Sequence, residues 1–210
     1  MNKLGDLSCN EFLTELASAA PAPGGGGGAA MAGALAAALA SMVANLTIGK
    51  EKFADREPEV KELLEQAEAE RVRLLTLVDE DAAVFNSFMS CYKLPKTTDE
   101  EKAARTAAIR AAAKQAATVP LNIARSSFAV LKLADRLVVS GNPGVITDGA
   151  CSGLLARAAL RCAEYNVRIN LGLTKDEAWN AQAAAELKQL LADAEALETR
   201  LLAVTDKALQ

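Results

Sequence analysis

The sequence predicts an all-α protein, an antiparallel bundle of about six helices forming one domain over residues 1–210. Three observations carry this. Alanine supplies much of an apolar fraction of 51%, while aromatic residues make up only 4%, and alanine has the highest intrinsic helix propensity. Alternating β-branched runs bounded by turn residues, the signal of strands, are scarce. Capping boxes and breaks marked by proline and glycine divide the chain into helix-sized lengths.

The first helix is expected to start at Ser8, because Ser8 and Glu11 fit a capping box, with Leu13, Leu16 and Ala17 as its apolar face. Pro21 and Pro23 are expected to end it, and Gly24 to Gly28 follow as a run of nearly unrestricted backbone. Ala29 to Ile48 is apolar for about twenty residues, long enough for a membrane span. Its bulk is alanine, and it carries Ser41, Asn45 and Thr47, so a buried core helix explains it better. Gly33, Ala37, Ala40, Ser41 and Ala44 recur at spacings that let another helix approach closely.

A long amphipathic helix is predicted from Pro58, stopping near Leu94-Pro95. Thr98 and Glu101 form a second capping box and open another long helix, with a kink or break expected just before Pro120. Ser140 to Gly149 reads as a loop, and Thr147 or Asp148 is placed to cap a helix running to about Asn170. Gly172 is expected to end it, and Thr174 with Glu177 to cap the last helix.

Composition excludes several function classes. A net charge of −4, with no basic stripe, argues against a nucleic-acid surface. Histidine is absent, which removes Ser-His-Asp triads and His-ligated zinc. Proton transfer near neutral pH then falls to shifted Asp, Glu, Lys, Cys or Tyr groups. Cys9, Cys91, Cys151 and Cys162 have no metal spacing and read as reduced thiols, which points to a cytoplasmic protein.

Two constellations remain. The glycine run leads into a buried helix, where free amides and the helix dipole favour an anion, although a plain flexible connector is the equal alternative. No Gly-Lys-Ser/Thr follows, so it is not a Walker A loop. The second constellation is polar residues inside apolar patterns: Asn45 and Thr47 before Lys50, Asp79 and Asp81, Asn142 and Asp148, and Asn166 and Asn170 at i,i+4. Several such groups in one chain point to a ligand cleft or an internal hydrogen-bond network. For any single one, an exposed group or a cap is the competing reading.

At these positions the chain resembles the cyclodeaminase/cyclohydrolase family. The resemblance rests on PAPGGGGGAAMAGALAAALASMVANLTIGKEKF, LVDEDAAVF, LPKTTDEEKAARTAA, ATVPL, GNPGVITDGA and YNVRIN, in that order. Many relatives read Pro-Gly-Gly-Gly-Ser where this chain has Gly27. The Ile-Gly-Lys-Glu-Lys-Phe ending is more like stand-alone cyclohydrolases.

The resemblance implies a helical homodimer with its folate site near the subunit interface. It implies an enzyme of one-carbon metabolism that hydrolyses 5,10-methenyltetrahydrofolate to 10-formyltetrahydrofolate. The alternatives are a formimidoyltetrahydrofolate cyclodeaminase releasing ammonia and a non-catalytic helical interaction protein. Tetrahydrofolate enters as carrier substrate, with no metal or further cofactor and no nucleic acid or membrane partner. Within that frame, Asp81 and Asp148 are expected as the carboxylates, and Lys50 as a cation for the glutamate tail or for proton return. Asn45, Asn142, Asn166 and Asn170 are expected to orient the pterin or the water. The amides of Gly24, Gly25, Gly26, Gly27 and Gly28 are expected to hold carboxylates or an oxyanion.

Overall fold

Small side chains decide how closely these helices approach. A computed structural model describes residues 3–210. Six α-helices run in order: α1 (Cys9–Leu16), α2 (Gly25–Asn45), α3 (Glu57–Cys91), α4 (Asp99–Ser140), α5 (Ile146–Thr174) and α6 (Glu177–Ala208). Short 3-10 turns lie at Leu4–Asp6, Glu51–Phe53 and Pro143–Val145, and no strand occurs among the described residues. The result is an all-α bundle.

The alanine-rich helix α2 packs against α3, α4 and α5, while α6 lies on α4 and α5. Ala30, Ala36, Ala37, Ala40 and Ala44 are fully buried. Leu74, Leu77, Ile123, Leu131 and Leu160 supply the bulk of the core between them. Although α2 is apolar and long enough to cross a membrane, much of it is enclosed by its neighbours. Close approach has a covalent condition at Gly153, where an added Cβ would lie 2.4 Å from a methyl carbon of Leu201 on α6.

Both capping boxes form. The Glu11 amide donates to Ser8 Oγ at 3.3 Å, and the Ser8 amide returns a bond to the Glu11 carboxylate at 2.9 Å. Thr98 and Glu101 do the same at the start of α4.

Several boundaries differ from expectation. Helix α1 stops at Leu16, before the prolines, where the Ser18 hydroxyl bonds back to the Glu15 carbonyl. Gly25 to Gly28 are not loop but the first turn of α2, with Gly24 as its cap. Helix α4 runs unbroken through Pro120, and α5 runs through Gly172. Lys175, at φ 58°, takes the left-handed position that ends α5. The cap of α6 is Asp176, which accepts the Trp179 amide at 3.0 Å, while Thr174 turns back to the Leu171 carbonyl. The start of α5 follows a 3-10 turn, so Asp148 lies inside its first turn instead of capping it.

Candidate active site

Asp81 lies on α3 opposite the first turn of α2. The approach is so close that a Cβ at Gly26 would fall 2.3 Å from Asp81 Oδ1, so only glycine fits. The Gly27 backbone amide is directed at the carboxylate. Burial pushes the Asp81 carboxyl up from its ordinary range, and the Gly27 amide offsets part of that rise.

This carboxylate faces a cavity of about 270 Å³. Pro21, Ala22 and Gly24 to Gly26 form one wall, Val84, Phe85 and Phe88 a second, and Ala116, Val119, Asn166 and Asn170 the rest. Asp81 is the one charged residue among them; no lysine or arginine lines the cavity. The site therefore favours a cation over an anion.

The two asparagines are held by backbone carbonyls. Asn166 Nδ2 donates to the Cys162 carbonyl at 2.9 Å. Asn170 Nδ2 donates to the carbonyls of Asn166, at 2.8 Å, and Ala116, at 2.9 Å. Because a carbonyl can only accept, these bonds fix which end of each amide is nitrogen. Both Oδ1 atoms are left as acceptors.

The structure thus gathers Asp81, Gly24, Gly25, Gly26, Asn166 and Asn170, with Gly27 beside the carboxylate. It does not gather the other four. Asn45 ends α2, about 30 Å from the glycines by helix rise. Lys50, Asn142 and Asp148 lie at that same far end. Lys50 is exposed ahead of a 3-10 turn. Asn142 serves as a latch: its Nδ2 donates to the Leu46 carbonyl at 3.1 Å, its Oδ1 accepts the Gly144 amide at 3.0 Å, and its own amide donates to Thr47 Oγ1 at 2.8 Å. Asp148 is half-buried in the first turn of α5, where a negative charge suits the helix dipole. Asp79, two residues from Asp81, points elsewhere and accepts the Leu4 amide at 2.6 Å.

Phe85 and Phe88 were legible only as core positions, yet their i+4 and i+7 spacing from Asp81 already puts them on its face. A wider groove of about 480 Å³ lies between α3, α4 and α6. Its carboxylates are occupied: Asp135 is buried against Arg200, and Glu59 accepts from Arg136 and Ser140. No cluster of three or more metal-ligating side chains occurs among the described residues.

The model of the formiminotransferase-cyclodeaminase family matches residues 8–189. A methenyltetrahydrofolate cyclohydrolase of Methylorubrum extorquens is 45% identical over 197 residues, covering 94% of this chain and 95% of that protein. The formimidoyltransferase-cyclodeaminase of Sus scrofa is 34% identical over 183 residues, and the match spans 87% of this chain but only 34% of that longer protein. The crystal structure of formiminotetrahydrofolate cyclodeaminase from Thermotoga maritima matches with a TM-score of 0.88 at 30% identity, over 98% of each chain.

Proposed function

This chain belongs to the formiminotransferase-cyclodeaminase family, and we propose that it is a methenyltetrahydrofolate cyclohydrolase with Asp81 as its acid–base group. The full-length similarity to a stand-alone cyclohydrolase supports the reaction. One observation supports the residue: a carboxylate with a raised pKa, alone in a cavity without cations.

The substrate carries an amidinium cation between N5 and N10. Asp81 attracts that cation, and its raised pKa brings it nearer the working pH as a base. Water attacks the amidinium carbon while Asp81 takes a water proton. The adduct's hydroxyl loses its proton to solvent as the C–N5 bond breaks, and Asp81 returns its proton to N5. The products are 10-formyltetrahydrofolate and one net proton. The Gly25 and Gly26 amides, free in the first turn of α2, stabilise the adduct's oxygen. The Oδ1 atoms of Asn166 and Asn170 accept pterin N–H groups. Tetrahydrofolate acts as carrier substrate, and the four free thiols suit a reducing cytoplasm.

A homodimer belongs to the same reading. Leu35 and Met42 on α2 and Leu46 just after it, with Leu154, Tyr165 and Ile169 on α5, are exposed on adjacent helices. No charged residue occurs anywhere in α2. The 30 Å or so of α2, beside an equal length of α5 packed about 10 Å away, presents roughly 600 Å², near the 800 Å² or so per partner of a stable interface. A second copy is the proposed occupant. The roles that family resemblance gives Asp148 and Lys50 require a partner subunit that brings its far end to this cavity. Co-expressed Asp81→Asn and Asp148→Asn chains would then recover activity in mixed dimers, and no recovery would end that assignment.

The reaction is tested by loss of methenyltetrahydrofolate absorbance on adding protein, corrected for spontaneous hydrolysis. Rapid decay is expected. Ammonia release from formimidoyltetrahydrofolate would instead favour the cyclodeaminase activity of the Thermotoga maritima relative. Silence in both assays would leave a non-catalytic bundle.

A further inference from the structure

The cavity of about 270 Å³ lies at the small end for a ligand site, and it holds no cation. A substrate built on tetrahydrofolate also carries an aminobenzoyl ring and a glutamate with two carboxylates. The cation for those carboxylates has to lie outside the cavity. Within its own chain Lys50, expected for this task, is at the opposite end of α2.

Helices α3 and α4 continue past the point where α2 begins. Asp81, Phe85, Phe88 and Tyr92 share one face of α3, and Phe88 meets Tyr92 edge to face with ring centroids 5.3 Å apart. On α4, Arg105 lies about three helical turns before the cavity residue Ala116 on the same face. The Arg105 guanidinium sits over the Tyr92 ring at 5.5 Å and donates through Nη2 to the Tyr92 carbonyl at 3.2 Å. Its Nε is buried without a partner, and Nη1 has none among the described residues. An aromatic strip therefore leads from the carboxylate to a fixed guanidinium.

The lengths agree. Asp81 to Tyr92 spans about 16 Å by helix rise. By summed bond lengths, the one-carbon centre lies roughly 10–15 Å from the glutamate carboxylates of its own substrate.

We propose that Arg105, held over Tyr92, is the tail-recognition residue of this enzyme. The aminobenzoyl ring lies along Phe85 and Phe88, and Arg105 Nη1 takes a glutamate carboxylate. This rests on the folate reading above and assigns the part of the substrate that the cavity does not hold.

The test compares 5,10-methenyltetrahydrofolate with 5,10-methenyltetrahydropteroate, which lacks the glutamate. In the unaltered protein kcat/KM should favour the glutamylated substrate by about tenfold, the factor that one charge-assisted hydrogen bond sets. Arg105→Ala should abolish that preference by raising KM for the glutamylated substrate, and Arg105→Lys should keep part of it. Equal losses on both substrates, or a retained preference, would overturn the proposal. Melting temperatures of each variant show whether the α3–α4 hairpin holds; an Arg105→Lys protein that melts like its parent but shows no preference would also overturn it. Silence of the unaltered protein toward both substrates would overturn the parent reading and this one with it.

Discussion

Asn170 supplies a hydrogen bond that Pro120 cannot. In an α-helix the Ala116 carbonyl would accept the amide proton of residue 120, but proline has none. Asn170 Nδ2, from α5, donates to that carbonyl at 2.9 Å. Helix α4 passes through Pro120 without a break, and the asparagine is fixed at the cavity wall by the same bond. A helix defect on one element thus orients a polar group on another.

Asn170→Ala should cost about 1 kcal/mol, because it leaves the half-buried Ala116 carbonyl without its protein partner. In a Pro120→Ala background the restored amide can take over that carbonyl, and the cost of Asn170→Ala should fall by about half or more. Denaturant midpoints for the four proteins of the cycle measure this. Additive effects would break the proposed link.

Asp81→Asn should lower kcat by about 10²-fold or more if Asp81 moves the proton. It should also stabilise the fold. The folded state raises the Asp81 pKa, so the folded protein holds that proton more tightly than the unfolded chain. The stability of the neutral form is fully present below the unfolded pKa and lost as pH rises through the folded pKa. The asparagine variant never ionises. It should therefore melt higher than its parent at neutral pH. The gain should vanish below the ordinary carboxylate range. Melting curves from acid to neutral pH check the sign.

Gly27→Ser places a hydroxyl beside the same group. An added Cβ lies 3.9 Å from Asp81 Oδ2 and 3.3 Å from Pro23 Cβ, so the serine fits if the proline yields slightly. Its hydroxyl would donate to the ionised carboxylate and lower the Asp81 pKa. The acid limb of the kcat/KM profile should move to lower pH. A limb that stays in place would mean that Asp81 does not set it.

Asn142→Ala should reduce stability by about 1–2 kcal/mol, or roughly 2–8 °C in melting temperature, by releasing the Leu46 carbonyl and the Gly144 amide. A large loss of kcat at unchanged melting temperature would instead return Asn142 to a substrate-binding role.

The sequence alone determined the number and order of the helices, because capping boxes, prolines and alanine periodicity act within a few residues. It also marked Asp81 and the glycine run as exceptional, and its motifs carried the family. It did not reveal which polar residues meet. Asp79 and Asp81 look equivalent in sequence, yet a difference of two positions turns them about 200° apart on α3. One takes the Leu4 amide and the other faces the glycines. Asn45, Lys50, Asn142 and Asp148 read as members of the same site, but the length of α2 holds them at the opposite end. The run of Gly25 to Gly28 is helical, against its propensity, and at Gly26 the missing side chain is what lets Asp81 approach that turn. Such contacts join residues far apart in the chain, and only the packing of one helix on another decides them.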